Sequence, residues 1–199
     1  MKIFAFSDLH RDVEATRQLL RASAGADVIV VAGDFSTKGI GAADTLDALA
    51  ASTVPVIVVH GNHDTPTEIE ALCARSDVLN YLHGTSIVIE GETFFGLGGE
   101  IPSRNSFKWN AYETEEHATE LLRACPENSV VVTHTPPFGL ADLQRNGEHE
   151  GSTAILAMIG QKAPKFLLCG HIHHAWGMTG QRGGTFVHNL GPTENWFEV

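Results

Sequence analysis

Residues 27–35 read DVIVVAGDF, four consecutive β-branched aliphatics followed by a small residue, a glycine and an aspartate. A continuous apolar run of this length, with no polar alternation, is the pattern of a strand buried on both faces. Its abrupt end at Gly33-Asp34 marks a place where the chain turns and presents a carboxylate. Four further runs read the same way: KIFAF (2–6), VPVIVVHG (54–61), SVVVTH (129–134) and KFLLCG (165–170). Between them, Asp12 to Ser23, Ala42 to Ala51, Thr67 to Arg75, Thr114 to Cys125 and Ser152 to Gln161 carry helical spacing. Strands alternating with helices define an α/β domain. Two stretches break the rhythm. SIVIEGETFFGLGG (86–99) predicts a hairpin, and TFVHNLG (185–191) with NWFEV (195–199) predicts another, so a second sheet is expected.

The 199 residues suit one domain over 1–199, and no linker or low-complexity segment divides them. The net charge of -11, from 13 basic and 24 acidic side chains, argues against stable gripping of a nucleic-acid backbone. It leaves a small phosphate ester open as substrate, because a bound metal inverts the local charge. No run reaches membrane-spanning length. Cys73, Cys125 and Cys169 are widely spaced and fit buried reduced thiols, from which a cytoplasmic protein is expected. The longest stretch without periodicity, Glu100 to Tyr112, has the length of a functional loop.

Every one of the five buried strands runs into a polar donor. Asp8 and His10 follow the first, Asp34 the second, Asn62, His63 and Asp64 the third, His134 the fourth, and His171 and His173 the fifth. In open α/β sheets, ligands bind beyond the carboxyl ends of the strands, so these side chains should converge on one crevice. Gly33, Gly61 and Gly170, each directly before a donor, permit close backbone approach there. Asp8, His10, Asp34, Asn62, His134, His171 and His173 are too many donors for one four-coordinate ion. Two divalent ions about 3.5–4 Å apart, sharing a carboxylate, accommodate them. Four imidazoles and no thiolate favour Mn, Fe or Zn over Mg or Ca. Two such ions against two carboxylates leave an electropositive centre, and coordinated water acquires a pKa near 7.

The ordered motifs Asp8-Leu-His10, Gly33-Asp34, Gly61-Asn62-His63-Asp64, Thr133-His134 and Gly170-His171-Ile172-His173 resemble those of the calcineurin-like metallophosphoesterase superfamily, over residues 8–173. The resemblance implies a two-sheet β-sandwich flanked by helices, in four layers. It implies one metal held by Asp8, His10 and His173, a second held by Asn62, His134 and His171, and Asp34 between them. It further implies that a metal-bound hydroxide attacks phosphorus while His63 assists the leaving oxygen. Asp64 is expected either to orient His63 or to cap the following helix.

GDFSTKG (33–39) departs from the G-D-x-V-D-R-G of protein serine/threonine phosphatases, whereas GDFS and THTPPFG (133–139) look like small single-domain phosphodiesterases. A phosphodiester is therefore the expected substrate, with a phosphomonoester as the alternative and a non-catalytic scaffold as the competing class. His60, His83, His117, His149 and His188 match no motif and are expected to be packed or solvated, and His174 to be a loop residue beside Trp176. Arg11, Arg104 and Lys108 are candidate phosphate clamps, and Trp109 and Phe138 candidate stacking surfaces, or else ordinary surface and packing residues. Oligomeric state is not encoded in any of these patterns.

Overall fold

In the computed structural model, which describes residues 1–199, all five apolar runs are strands: β1 Lys2–Phe6, β2 Val28–Val31, β3 Val56–Val58, β7 Val130–Thr133 and β8 Phe166–Cys169. The five helical segments are α1 Val13–Ala22, α2 Ala42–Leu49, α3 Pro66–Cys73, α4 Glu115–Leu122 and α5 Thr153–Lys162. Side-chain oxygens start three of them. Asp12 accepts from the Ala15 N–H, Thr114 from His117 and Ser152 from Ile155, each satisfying an amide that the first helical turn leaves free.

The remaining strands are β4 Leu79–Tyr81, β5 Thr85–Ile89, β6 Glu92–Leu97, β9 Thr179–Arg182, β10 Thr185–Asn189 and β11 Asn195–Glu198. One sheet has the order β11-β1-β2-β3-β4, parallel except at β11; the other runs β5-β6-β7-β8-β10-β9, antiparallel only at its two edges. The hairpin expected over 86–99 is present as β5 and β6. The one expected over 185–199 is not. β10 pairs with β8 and β9, while β11 crosses to the other sheet and pairs with β1. Gly191 makes that crossing at φ 69°, held to Ser7 by two hydrogen bonds of 2.9 and 3.0 Å.

Side-chain alternation builds the four layers. Along β1, Phe4 and Phe6 face α1, α2 and α3, whereas Ile3 and Ala5 face the second sheet. Across the gap Phe94, Val130, Val132 and Leu168 meet Val28, Val30, Ile57 and Val59. On the far side Phe95, Val131 and Leu167 pack on Ala118 and Leu122 of α4 and on Ile155, Met158 and Ile159 of α5. The central strands are thus apolar on both faces, as the continuous runs predicted, and the strand ends that carry chemistry emerge from a rigid double layer. Cys73, Cys125 and Cys169 are buried and free.

Phe94, fully buried between the sheets, packs among the apolar side chains of both. Phe94→Ala should lower the unfolding free energy by about 3–5 kcal/mol in urea titrations. A loss under about 1 kcal/mol would mean that the inter-sheet layer is not close-packed.

Candidate metal centre

The carboxyl ends of β1, β2, β3, β7 and β8 lie side by side, and their loops interlock through the backbone. The N–H groups of Asp8, His10 and Arg11 donate to the carbonyls of Gly33, Asp34 and Phe35 at 2.8–2.9 Å. This ladder holds Asp8, His10, Arg11 and Asp34 at φ between 44° and 71°, a left-handed region that side chains other than glycine rarely adopt; His171 joins them at 69°. Such strain persists only where the surroundings over-determine it, and here it clusters on four of the seven expected donors.

Close approach explains the glycines. A Cβ on Gly33 would lie 2.6 Å from His134 Nδ1, and one on Gly61 would overlap the backbone and carboxylate of Asp34. Asp64, 1% exposed, secures the same junction: its carboxylate accepts from the N–H groups of Gly61 (2.7 Å), Asp34 (2.9 Å), Phe35 (3.3 Å) and Ser36 (2.8 Å). Neither role expected of Asp64 is observed. It neither orients His63 nor caps α3; it ties the end of β2 to the end of β3, where four amides left without ladder partners need an acceptor.

All seven donors converge. Donor atoms of Asp8, His10 and His173 lie within 4.8 Å of one another, as do those of Asp8, Asp34 and His134, and those of His10, Asp34 and His63. His10 Nε2 is 3.2 Å from His173 Nε2 and 3.4 Å from Asp34 Oδ2. Asn62 Oδ1 is 3.1 Å from both His134 Nε2 and His171 Nδ1. Asp34 lies between the two groups, its other oxygen 3.5 Å from His134 Nε2.

Hydrogen-bond polarity tests whether this set suits a cation. His134 Nδ1 sits 2.8 Å from the Ala32 carbonyl, which can only accept, so the ring proton is on Nδ1 and Nε2 presents a bare lone pair. The Asn62 amide nitrogen donates to Asn110 Oδ1 at 2.9 Å, so Oδ1 faces inward. Two acceptor atoms, His134 Nε2 and Asn62 Oδ1, therefore meet at 3.1 Å without a hydrogen between them, and Asp34 Oδ1 lies 3.5 Å from the first. Asp8 and Asp34 are 3% and 1% exposed, and their ion-pair partners are histidines only; no lysine or arginine neutralises either. Burial, then the charges of Asp64 and Asp8, push the Asp34 carboxyl well up, and burial pushes His134 well down. This is a pocket of lone pairs that fits a positive ion.

His63 borders the set, its ring 4.9 Å from that of His10 and 4.5 Å from that of Trp109. The Lys38 N–H donates to Nδ1 at 3.0 Å, which leaves the ring proton on Nε2. Burial first, then the rings of His10, His171 and His173, lower its pKa to about 4, so it is neutral at pH 7.

Other residues fall outside the cluster. His60 bonds the Tyr81 hydroxyl, His83 and His117 share Glu113, and His149 pairs with Asp142. His174 is exposed, and the ring lying on Trp176, at 4.3 Å, is that of His173. Arg104 is engaged, donating to the Glu150 carbonyl at 2.6 Å. Phe107 stacks on Trp109, and Phe138 lies against His149. Glu100 and Asn110, both buried in the long loop, touch the centre and belong to no motif; only the loop's length signalled them. Ser7, whose hydroxyl bonds Asp8, was equally silent.

Asp64→Ala would strip four buried amides of their acceptor, and each unsatisfied group costs about 1–3 kcal/mol. Thermal or urea unfolding should show a loss of about 3 kcal/mol or more; a loss below about 1 kcal/mol would show that the junction holds without it.

The chain is similar to known proteins in sequence and in fold. The chain is 27% identical over 207 residues to the UPF0046 protein K07C11.7 of Caenorhabditis elegans, covering 94% of itself and 68% of that protein. A second C. elegans UPF0046 protein, T07D4.2, is 24% identical over 77% of the chain, which spans only 47% of that relative. Among solved structures, TT1561 of Thermus thermophilus superposes with a TM-score of 0.76 at 19% identity, over 98% of this chain and 97% of that one. A novel archaeal phosphodiesterase gives 0.57 at 16% identity, over 96% and 84%. Both share the fold. Residues 1–175 match the profile described as Calcineurin-like phosphoesterase, and the chain belongs to that family.

Proposed function

We propose that residues 1–199 form one metallophosphoesterase domain that hydrolyses a phosphodiester with two divalent transition-metal ions. One ion would be held by Asp8, His10 and His173, the other by Asn62, His134 and His171, with Asp34 shared. The observation that carries this reading is the convergence of seven oxygen and nitrogen donors on one centre, with no lysine or arginine paired to its two buried aspartates. The imidazole share favours Mn, Fe or Zn. When bound, such ions supply electrophilic stabilisation of phosphoryl oxygens and a water acidic enough to act as nucleophile near neutral pH.

The protein's own contribution is orientation. Because Lys38 N–H occupies Nδ1 of His63, the ring can offer only its Nε2 proton, and it does so as a neutral hydrogen-bond donor to the departing oxygen. An aromatic face stands beside it in Trp109, on which the exposed Phe107 stacks. Two divalent ions would carry +4 against the carboxylates of Asp8 and Asp34 in their ligand set, with buried Asp64 and Glu100 lowering the net local charge behind them. An anion would thus be drawn to the open side of the ions rather than to the chain, whose overall charge is -11. The diester preference rests on the resemblance of GDFS and THTPPFG to small phosphodiesterases. Beside it stands the lack of a paired arginine clamp for a dianionic terminal phosphate, Arg104 donating from Nη2 to the Glu150 carbonyl. The diesterase activity of the archaeal relative agrees with it.

Metal analysis after Mn²⁺ loading should find two ions per chain. Asp34→Asn should lose most of both. His63→Ala should retain the metal and lose about 10²–10⁴-fold in turnover on substrates with poor leaving groups. Metal affinity should fall as the pH is lowered, since protons compete for the imidazoles. A panel of diesters, monoesters and cyclic nucleotides with Mn²⁺, Fe²⁺ and Zn²⁺ should favour diesters. Monoester preference would replace the substrate class, and metal binding without any turnover would leave a scaffold.

A further inference from the structure

Glu100 opens the long loop between β6 and α4, is 4% exposed, and lies in none of the donor motifs. Its Oε2 accepts from Asn110 Nδ2 at 2.6 Å and from the Arg104 N–H at 3.2 Å, while Oε1 faces His171 Nε2 at 3.6 Å. Burial acts to raise its pKa, but His171, Asn110 and Arg104 outweigh it and leave the carboxyl below its ordinary range.

We propose that Glu100 and Asn110 are positioning residues that set the hydrogen-bond polarity of the Asn62–His134–His171 half of the centre. The inference rests on the metal-dependent reading above. It follows from one asymmetry: a carboxylate can only accept. Asn110 must therefore turn its NH₂ toward Glu100, which turns its Oδ1 toward Asn62. Asn62 must answer with its own NH₂, which leaves its Oδ1 aimed at His134 and His171. On the other side, a lone pair on His171 Nε2 would face a negative oxygen at 3.6 Å, whereas a proton there is attracted to it. The proton stays on Nε2, and Nδ1 turns a free lone pair inward. One buried carboxylate thus aims two donor atoms, a carbonyl oxygen and an imidazole nitrogen, from two different strands. His134 needs no such help, because the Ala32 carbonyl already fixes its tautomer.

Glu100→Gln separates this from a merely structural role. If the new amide NH₂ faces His171, it donates to Nε2 and drives the proton to Nδ1, into the centre. If it faces Asn110 instead, that side chain flips and carries the Asn62 amide with it. In either case one donor is spoiled while the packing volume is kept.

The test starts from metal-free protein labelled with ¹⁵N-histidine, in which long-range ¹H–¹⁵N correlations read each ring's tautomer. His171 should be the Nε2–H form in the native chain. Because the Arg104 N–H also needs an acceptor at the Oε2 position, the new amide NH₂ in Glu100→Gln should face His171 and shift it to Nδ1–H or a mixture. An unchanged Nε2–H there is accepted only with the weakened site that a flipped Asn62 amide would cause. In Glu100→Asp, which keeps an acceptor-only carboxylate, His171 should stay Nε2–H. Calorimetric titration with Mn²⁺ or Zn²⁺ alone should then show one of two sites weakened about 10–100-fold in Glu100→Gln and in Asn110→Ala, with the other unchanged. Nδ1–H in the native protein would overturn the proposal, as would two sites that weaken equally or not at all. Failure of the native chain to bind any metal would instead overturn the metal-dependent reading, and the tautomer measurement would still decide this one.

Discussion

Four backbone amides meeting one buried carboxylate hold the rest of this site in place. Asp64 follows His63 at the turn into α3, yet its oxygens reach across to residues 34–36, at the end of the neighbouring strand. Two parallel strands that end side by side leave their first loop amides without ladder partners, and a carboxylate satisfies several at once. Burial makes such an ion costly and is the largest effect, leaving its pKa raised; hydrogen bonds from Gly61, Ser36 and Phe35 pull the other way by favouring the charged form. The close approach this junction requires is what excludes a Cβ at Gly33 and Gly61.

From that junction the chemistry follows as a problem in electrostatics. Asp8, Asp34, Asp64 and Glu100 are buried within one region, interleaved with His10, His134, His171 and His173. Ordinary proteins neutralise buried acids with lysine or arginine, and this one does not. The left-handed backbone at Asp8, His10, Asp34 and His171 adds a further conformational cost. The double-layered sheet bears both costs, since eleven strands and their helices bury a close-packed interior that is indifferent to strain at the strand tips. Pre-organised lone pairs need no rearrangement when a cation arrives, which is the condition for tight binding and for fixed orientation of a phosphate ester.

The loop from Glu100 to Tyr112 connects the two halves of this design. From its first residue Glu100 faces His171, and near its other end Asn110 bonds Asn62, while Trp109 lies against His63 with Phe107 stacked on its outer side. A segment without secondary structure is thereby ordered from inside, by hydrogen bonds to the residues it serves. Its side chains supply positioning and an aromatic face beside His63, tasks that regular strands, whose side chains are committed to the core, leave unfilled.

How much was legible in the sequence differs by the range of the interaction. Uninterrupted runs such as VIVV and FLLC announced strands buried on both faces, and the donors at their ends announced a shared crevice, because both follow from local order plus the direction of parallel strands. β4 was too short to register, and β9, with the exposed sequence TGQR, lacks any apolar pattern. NWFEV read correctly as a strand but was assigned the wrong partner, since alternation tells which face is buried and not which sheet supplies the neighbour. The same limit applied to the site. The sequence by itself determined the donor types and their placement at strand ends. Only the tertiary structure decided that Asp64 gathers amides from β2, that His173 rather than His174 lies on Trp176, and that Glu100 and Asn110 aim Asn62. Hydrogen-bond polarity depends on which acceptor stands opposite each donor, and residues as far apart in the chain as Asn62 and His171, 109 positions, become opposite only when the sheets are packed.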